Sequence, residues 1–278
     1  MRKTVVVTGA GRGIGRRLVE LYLEAGDQVV AGVRDPAAAR ELQQGSSGGD
    51  LEVCALDVRD GGSVRRLADA LGVRPVDILI NNAGVMGGDR QSLDNMDYDA
   101  WRDALEVNTL SPFRVTTALL PNLARSPQPK IITLTSQMGA LSRNSPGVFA
   151  YRSSKAAANK VMQVMALELK ARGMIVCPMH PGWVRTDMGG PAAAISVEES
   201  ARGLLEVIDR LGLEDSGRFW TWDGETPLVG RQRNPQARRR TAFPPRNSLW
   251  TDCFFHLWLT DDPLLSLVWN KVRIARCR

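Results

Sequence analysis

Two histidines and four cysteines among 278 residues leave little from which to build a metal centre, and the cysteines (Cys54, Cys177, Cys253, Cys277) lie too far apart for a zinc-ligand spacing. A disulfide scaffold is equally unexpected in a chain long enough to bury a substantial core, and free thiols suit the reducing cytoplasm. No run approaches the ~20 apolar residues of a membrane span. Met1-Arg2-Lys3 leads straight into a β-rich segment rather than the apolar core of an export signal, so the expected location is cytoplasmic. Hydrophobic residues make up 44% and charged residues 24% of the chain, which is the balance of an ordinary globular protein.

The formal charge of +6 is unevenly placed. Residues 231–278 carry ten Lys/Arg against three acids, whereas residues 1–230 carry 26 against 27. A neutral body has no surplus with which to grip phosphate backbones, so nucleic-acid binding is not expected of it. The basic segment, with Arg238-Arg239-Arg240 and Pro244-Pro245, lacks an apolar period and reads as a linker or partly disordered tail. Beyond it, the Trp- and Phe-rich stretch 249–259 leaves two readings open. A poorly ordered extension is preferred to an element docking on a partner or membrane surface, and its partner is unknown. The expected organisation is one domain over 1–230 followed by this tail.

Within the body, β-branched runs alternate with amphipathic stretches. Residues 3–8, 28–33, 51–56, 77–80, 131–134, 174–177 and 217–222 read as strands. Parallel neighbours need helical crossovers, so the pattern predicts an α/β fold: a doubly wound Rossmann-type sheet of about seven parallel strands with helices on both faces, plus the C-terminal extension.

The first strand runs into Thr8-Gly9-Ala10-Gly11-Arg12-Gly13-Ile14-Gly15 and then a helix. Such a loop lets a dinucleotide pyrophosphate approach the backbone at a helix N-terminus, although a tight turn alone would also use glycines. Arg34 follows the second strand, where a cation would pair with the 2′-phosphate of NADP and an acid would hold the ribose of NAD. Arg12 is a second cation for the same phosphate, so NADP is favoured over NAD. Asp35 is a potential ion-pair partner of Arg34.

Tyr151 and Lys155 are one helical turn apart and share a face. A neighbouring ammonium lowers a phenol's pKa from about 10 toward neutrality, as proton exchange at pH 7 requires. Taken singly, this pair would also occur by chance on an amphipathic helix. Joined to the glycine loop, Asn81-Asn82-Ala83-Gly84, Ser136, and Pro181-Gly182-Trp183-Val184-Arg185-Thr186 in one order, it closely resembles the short-chain dehydrogenase/reductase family over about residues 3–228. The segments around Ser136, Tyr151 and Pro181 are most similar to the branch containing the bacterial C-factor and carbonyl-reductase-like proteins.

The resemblance implies that Tyr151 exchanges a proton with the substrate oxygen, that Ser136 holds that oxygen, and that Lys155 grips the nicotinamide ribose. It assigns Asn108 a water leading from Lys155 to solvent. With Arg12 expected at the 2′-phosphate, Gly9, Gly13, Ile14 and Gly15 of the loop are expected at the pyrophosphate, and the resemblance implies Asp57 and Val58 at the adenine and Asn82, Ala83 and Gly84 along the channel. Pro181, Gly182, Val184 and Thr186 complete the nicotinamide end. The implied function is NADP(H)-dependent carbonyl/alcohol interconversion on a small molecule in a homodimer or tetramer. The alternative is a C-factor-like signalling or interaction protein that binds a dinucleotide with little turnover. Trp183, the 188–191 segment and the 138–149 loop are expected to shape an apolar substrate pocket. His180 reads as a strand-end residue rather than a ligand.

Overall fold

A computed structural model describes residues 2–39, 42 and 50–226. The basic tail lies outside the described residues. Seven parallel strands form one sheet: β1 (Thr4–Thr8), β2 (Gln28–Val33), β3 (Leu51–Ala55), β4 (Ile78–Asn81), β5 (Lys130–Leu134), β6 (Ile175–His180) and β7 (Trp220–Thr221), in the order β3-β2-β1-β4-β5-β6-β7. Helices α1 (Gly13–Glu24) and α6 (Val197–Arg210) cover one face, and α2 (Gly61–Leu71), α4 (Ser111–Leu123) and α5 (Phe149–Leu169) the other. α3 (Tyr98–Leu105) continues through a wider, π-type turn (Glu106–Leu110) into α4.

Both faces are buried because the strands are apolar on both sides. Val5, Val7, Ile78, Ile80 and Ile132 enter the core under α1 and α6. Their neighbours Val6, Leu79 and Ile131 enter the opposite one. Alternation along a strand sends successive side chains to opposite faces, and continuous β-branched runs therefore demand helices on each. Strand order reverses between β1 and β4, and the crevice beyond the C-terminal ends of those strands is where open α/β sheets place ligands. The glycine loop and Asn82-Ala83-Gly84 both lie there.

The largest differences from the expected strand bounds are at β7 and β6. β7 is only two residues long, because a 3-10 turn at Leu213–Asp215 and the left-handed Gly217 delay entry into the sheet. β6 runs three residues further than expected, through Pro178. Val176 and His180 bond toward the β7 side, whereas the Met179 carbonyl accepts from Thr135 of the β5 side. Pro178 therefore presents its missing N–H toward the edge that β7 has not yet reached, and no ladder bond is lost.

Candidate active site

The N-terminus of α1 forms a cradle. Arg12 precedes the helix in an extended conformation with no side-chain cap, and the first turn carries no acid. Its leading N–H groups and positive dipole end are thus left for an anion. A Cβ on Gly15 would lie 2.5 Å from Gly9 O and 2.4 Å from Asn82 Nδ2, so a side chain there would collapse the loop. The loop is riveted to β4: Asn82 Nδ2 donates to Thr8 O and Gly9 O (2.9 Å each), and Thr8 Oγ1 accepts from Asn82 and Ala83 N–H (3.1 Å each). The Asn82 amide is spent on this brace, which qualifies its expected place along a cofactor channel. Ile14 is partly buried and packs against the core under α1.

At the end of β2, Arg34 is exposed, and among the described residues it forms no ion pair. Asp35 instead accepts from the Ala37 N–H at 2.9 Å, so it is not the partner that the sequence offered for Arg34. Arg12 is paired with Asp187 across the cradle at 2.5 Å, both side chains being largely exposed. After β3, both Asp57 oxygens accept from the Arg59 side chain (2.8 and 3.0 Å), which holds this carboxyl below the usual carboxylate range. Val58 is buried, and its carbonyl accepts from Arg114 at 2.9 Å.

Asn108 occupies the π-type turn, where the chain has a spare residue with which to turn a side chain inward. Its Oδ1 accepts from Val85 N–H (2.9 Å), while Nδ2 donates to Val85 O (2.8 Å) and Ser154 Oγ (2.9 Å). It thereby binds the segment after β4 to α5, next to Lys155. Gly84 lies against Asn108 Oδ1 and Lys155 Nζ with little room to spare.

Lys155 is buried and donates to Leu134 O at 2.9 Å. Burial lowers its ammonium to about 8. Its Nζ stands 5.7 Å from the centre of the Tyr151 ring. Ser136, buried at the end of β5, faces the Tyr151 phenol. The tetrad Asn108, Ser136, Tyr151 and Lys155 is therefore brought together. One expectation is corrected: Tyr151 is not lowered. Burial pushes the phenol above its ordinary value, and Ser136 only partly opposes the rise. The ammonium spends a proton on the Leu134 carbonyl, and the same burial disfavours both charged forms.

Two residues were not singled out by sequence reasoning. Gly139 presses the 3-10 turn after Ser136 onto α5; a Cβ there would be 2.6 Å from Ala156 N and Lys155 C. Its signal was a glycine three residues beyond the serine. Gln91 is buried, donates to Met86 O (2.9 Å) and Gly88 O (2.7 Å), and accepts from Tyr151 N–H at 3.1 Å. It satisfies an open donor of α5 that Val148, the residue before the helix, cannot cap. No local pattern marks such a distant cap.

Around the β6 end, Val184 is buried, Thr186 Oγ1 accepts from Gly189 N–H at 3.1 Å, and Ser200 Oγ donates to Pro181 O at 2.6 Å. Gly182 adopts φ 90°, which turns the chain beneath Ile195. Trp183, Met188, Leu141 and Phe149 remain exposed, consistent with an open apolar rim. His180 ends β6, half-buried, with Nδ1 enclosed and unpartnered. Burial first, and the Arg143 charge second, lower its imidazole to about 4. The folded state thus resists protonation, so stability contributed above pH 6.5 is lost as the pH falls toward 4. From pH 7.5 to 5, wild type is expected to lose about 2 kcal/mol more than His180→Gln, as read from urea unfolding midpoints at both pH values. Equal losses in both proteins would contradict this origin.

Among the described residues, no group of three or more His, Cys, Asp or Glu could hold a metal ion, and no helix is long and apolar enough to cross a membrane. The fold and this constellation define a Rossmann-type oxidoreductase. The short chain dehydrogenase family profile matches residues 3–194, and the chain belongs to the short-chain dehydrogenase/reductase family, on its C-factor/carbonyl-reductase-like side. It is 43% identical over 162 residues to C-signal of Myxococcus xanthus, covering 58% of this chain and 97% of that protein. It is 36% identical over 233 residues to 1-hydroxy-2-glutathionyl-2-methyl-3-butene dehydrogenase of a Rhodococcus species, covering 80% and 97%. The crystal structure of NADPH-bound carbonyl reductase from chicken fatty liver superposes with a TM-score of 0.76 at 32% identity, covering 82% of this chain and 99% of that one.

Proposed function

We propose that this chain is an NADP(H)-dependent oxidoreductase interconverting a carbonyl and an alcohol, with Tyr151 as general acid and base. One observation carries the reading: Ser136 faces the Tyr151 phenol while the Lys155 ammonium lies one helical turn away, all at the crevice that the glycine cradle enters. The cradle fits a dinucleotide, since its glycines leave no side chain between the backbone and the free helix N-terminus. When bound, the dinucleotide supplies or accepts a hydride. Ser136 holds the substrate oxygen, and Tyr151 gives it a proton during reduction. Lys155, charged below about pH 8, binds ribose hydroxyls and favours phenolate as the proton leaves. Asn108 keeps Val85 and Ser154 fixed beside Lys155 and holds the water that links it to solvent. Pro181, Gly182, Val184 and Thr186 shape the nicotinamide end, and Asp57 with Val58 meets the adenine.

NADP preference rests on Arg34 and Arg12, together with the NADPH of the chicken carbonyl reductase. The Arg12–Asp187 pair is exposed and worth at most ~1 kcal/mol, so a phosphate displaces Asp187 easily. Arg34→Glu is expected to reduce the NADPH-to-NADH ratio of kcat/KM by about 100-fold, measured with each coenzyme at fixed carbonyl substrate. An unchanged ratio would assign the preference elsewhere.

Assembly belongs to the same reading. An exposed apolar groove between α4 and α5, lined by Leu110, Phe113, Val161 and Val164, offers a face for a second copy. The C-signal similarity favours a second reading, in which the output is signalling by the bound state and turnover is slight. The two separate on whether wild type outpaces a Tyr151 variant.

A further inference from the structure

The stretch from Ser136 through most of α5 has an unusual charge. From Ser136 through Leu167 the chain contains Arg143, Arg152, Lys155 and Lys160 and no acid. Arg152 is committed to the loop itself: its guanidinium donates to Ser145 Oγ (2.6 Å) and Gly147 O (3.1 Å). Arg143 is different. Its side chain is exposed, its guanidinium donates to the neutral Gln137 Oε1, and no ion pair among the described residues involves it. Most of its five N–H donors, and all of its charge, remain uncompensated.

Its position is specific. Gln137 adjoins Ser136, and the Arg143 charge is felt by His180 at the end of β6. The guanidinium is therefore tied to the residue next to Ser136 and lies within electrostatic reach of His180, at the C-terminal end of β6. The other charged group facing His180 is Asp223, whose Oδ1 accepts from the Thr221 hydroxyl. On the opposite side of the mouth, Asp187 is tied to Arg12. An anion entering this crevice meets a fork of donors free of any ion pair among the described residues, with the charge of Arg152, in the first turn of α5, as a second cation.

We propose that Arg143 is a specificity-determining residue that receives a carboxylate, and that the substrates are carbonyl compounds bearing a carboxylate beyond the reacting carbon. A guanidinium binds a carboxylate through two parallel N–H···O bonds, so it selects for that group as well as attracting it. The proposal rests on the reading of Ser136 and Tyr151 as the groups that receive the carbonyl. An apolar ring or chain between the two ends suits the exposed Leu141, Phe149 and Trp183.

The test compares 4-carboxybenzaldehyde with methyl 4-formylbenzoate, which differ chiefly in charge, under NADPH. Wild type is expected to favour the acid by about tenfold in kcat/KM at low salt, with the ratio shrinking as salt is raised. In Arg143→Gln the ratio falls to near one, in Arg143→Glu below one, and Arg143→Lys retains most of it. A ratio near one in wild type, or one unchanged in a folded Arg143→Gln, overturns the proposal and leaves Arg143 a solvated surface group. Benzoate titrated into the NADPH-loaded protein, read by calorimetry, separates the two levels of inference. Benzoate binding that needs Arg143, with neither aldehyde reduced, would sustain the anion site and sink the carbonyl-reducing reading. Ester turnover without benzoate binding would sink the anion site alone, and absence of both turnover and binding also counts against it.

Discussion

Replacing Tyr151 with phenylalanine is expected to lower kcat for carbonyl reduction by about 10³-fold, within the range attributed to a positioned general acid. The substitution keeps the ring and removes only the hydroxyl that faces Ser136. NADPH affinity, followed by fluorescence titration, should stay within about twofold, because the glycine cradle and Arg34 are untouched. This split identifies a proton-transfer role rather than a packing role. Turnover equal to wild type would overturn the assigned acid and favour the signalling reading. The raised pKa of the buried phenol suits the proposed role in reduction, in which Tyr151 keeps its proton at neutral pH for the substrate oxygen.

Gly139→Ala is expected to lower kcat about 100-fold while leaving the NADPH dissociation constant nearly unchanged. The added methyl would stand 2.6 Å from the α5 backbone at Lys155 and Ala156, so the turn after Ser136 must retreat. A retreat of about 1 Å at the serine is enough for a loss of that order. Overpacking also costs stability, about 1–3 kcal/mol, and a control must share that cost. Gly173→Ala provides it: Gly173 has φ 72° with open space around it, at the far end of α5. If the Gly173 variant loses as much stability yet keeps its activity, the Gly139 effect is positional. Parallel losses of activity in both would contradict that.

Much of this arrangement is legible in the sequence because it obeys local rules. The β-branched runs reveal their strands, and the glycines after β1 sit at the turn into α1, where side chains at Gly9 and Gly15 would collide with the Asn82 brace. Tyr151 and Lys155 share a face because the helix has a fixed period. What stays hidden is set by distance. The pKa of Tyr151 is set by burial and by Ser136, and Lys155 turns to a carbonyl of β5, neither of which the helix period reveals. Arg12 finds Asp187 only when the chain returns 175 residues later. Pro178 reads as a strand breaker until the sheet places its nitrogen on the unpaired side. Gly139 and Gln91 act through packing and capping partners that no window of sequence contains.

The Gln91 bridge carries a practical consequence. The backbone nitrogen of Tyr151 is fastened by a side chain 60 positions upstream, itself anchored on the carbonyls of Met86 and Gly88. A graft that exchanged the loop after β4 for a relative's would therefore disturb the proposed proton donor without altering Asn108, Ser136, Tyr151 or Lys155. Chimeras within this family should move the 86–91 stretch and the first turn of α5 as one cassette.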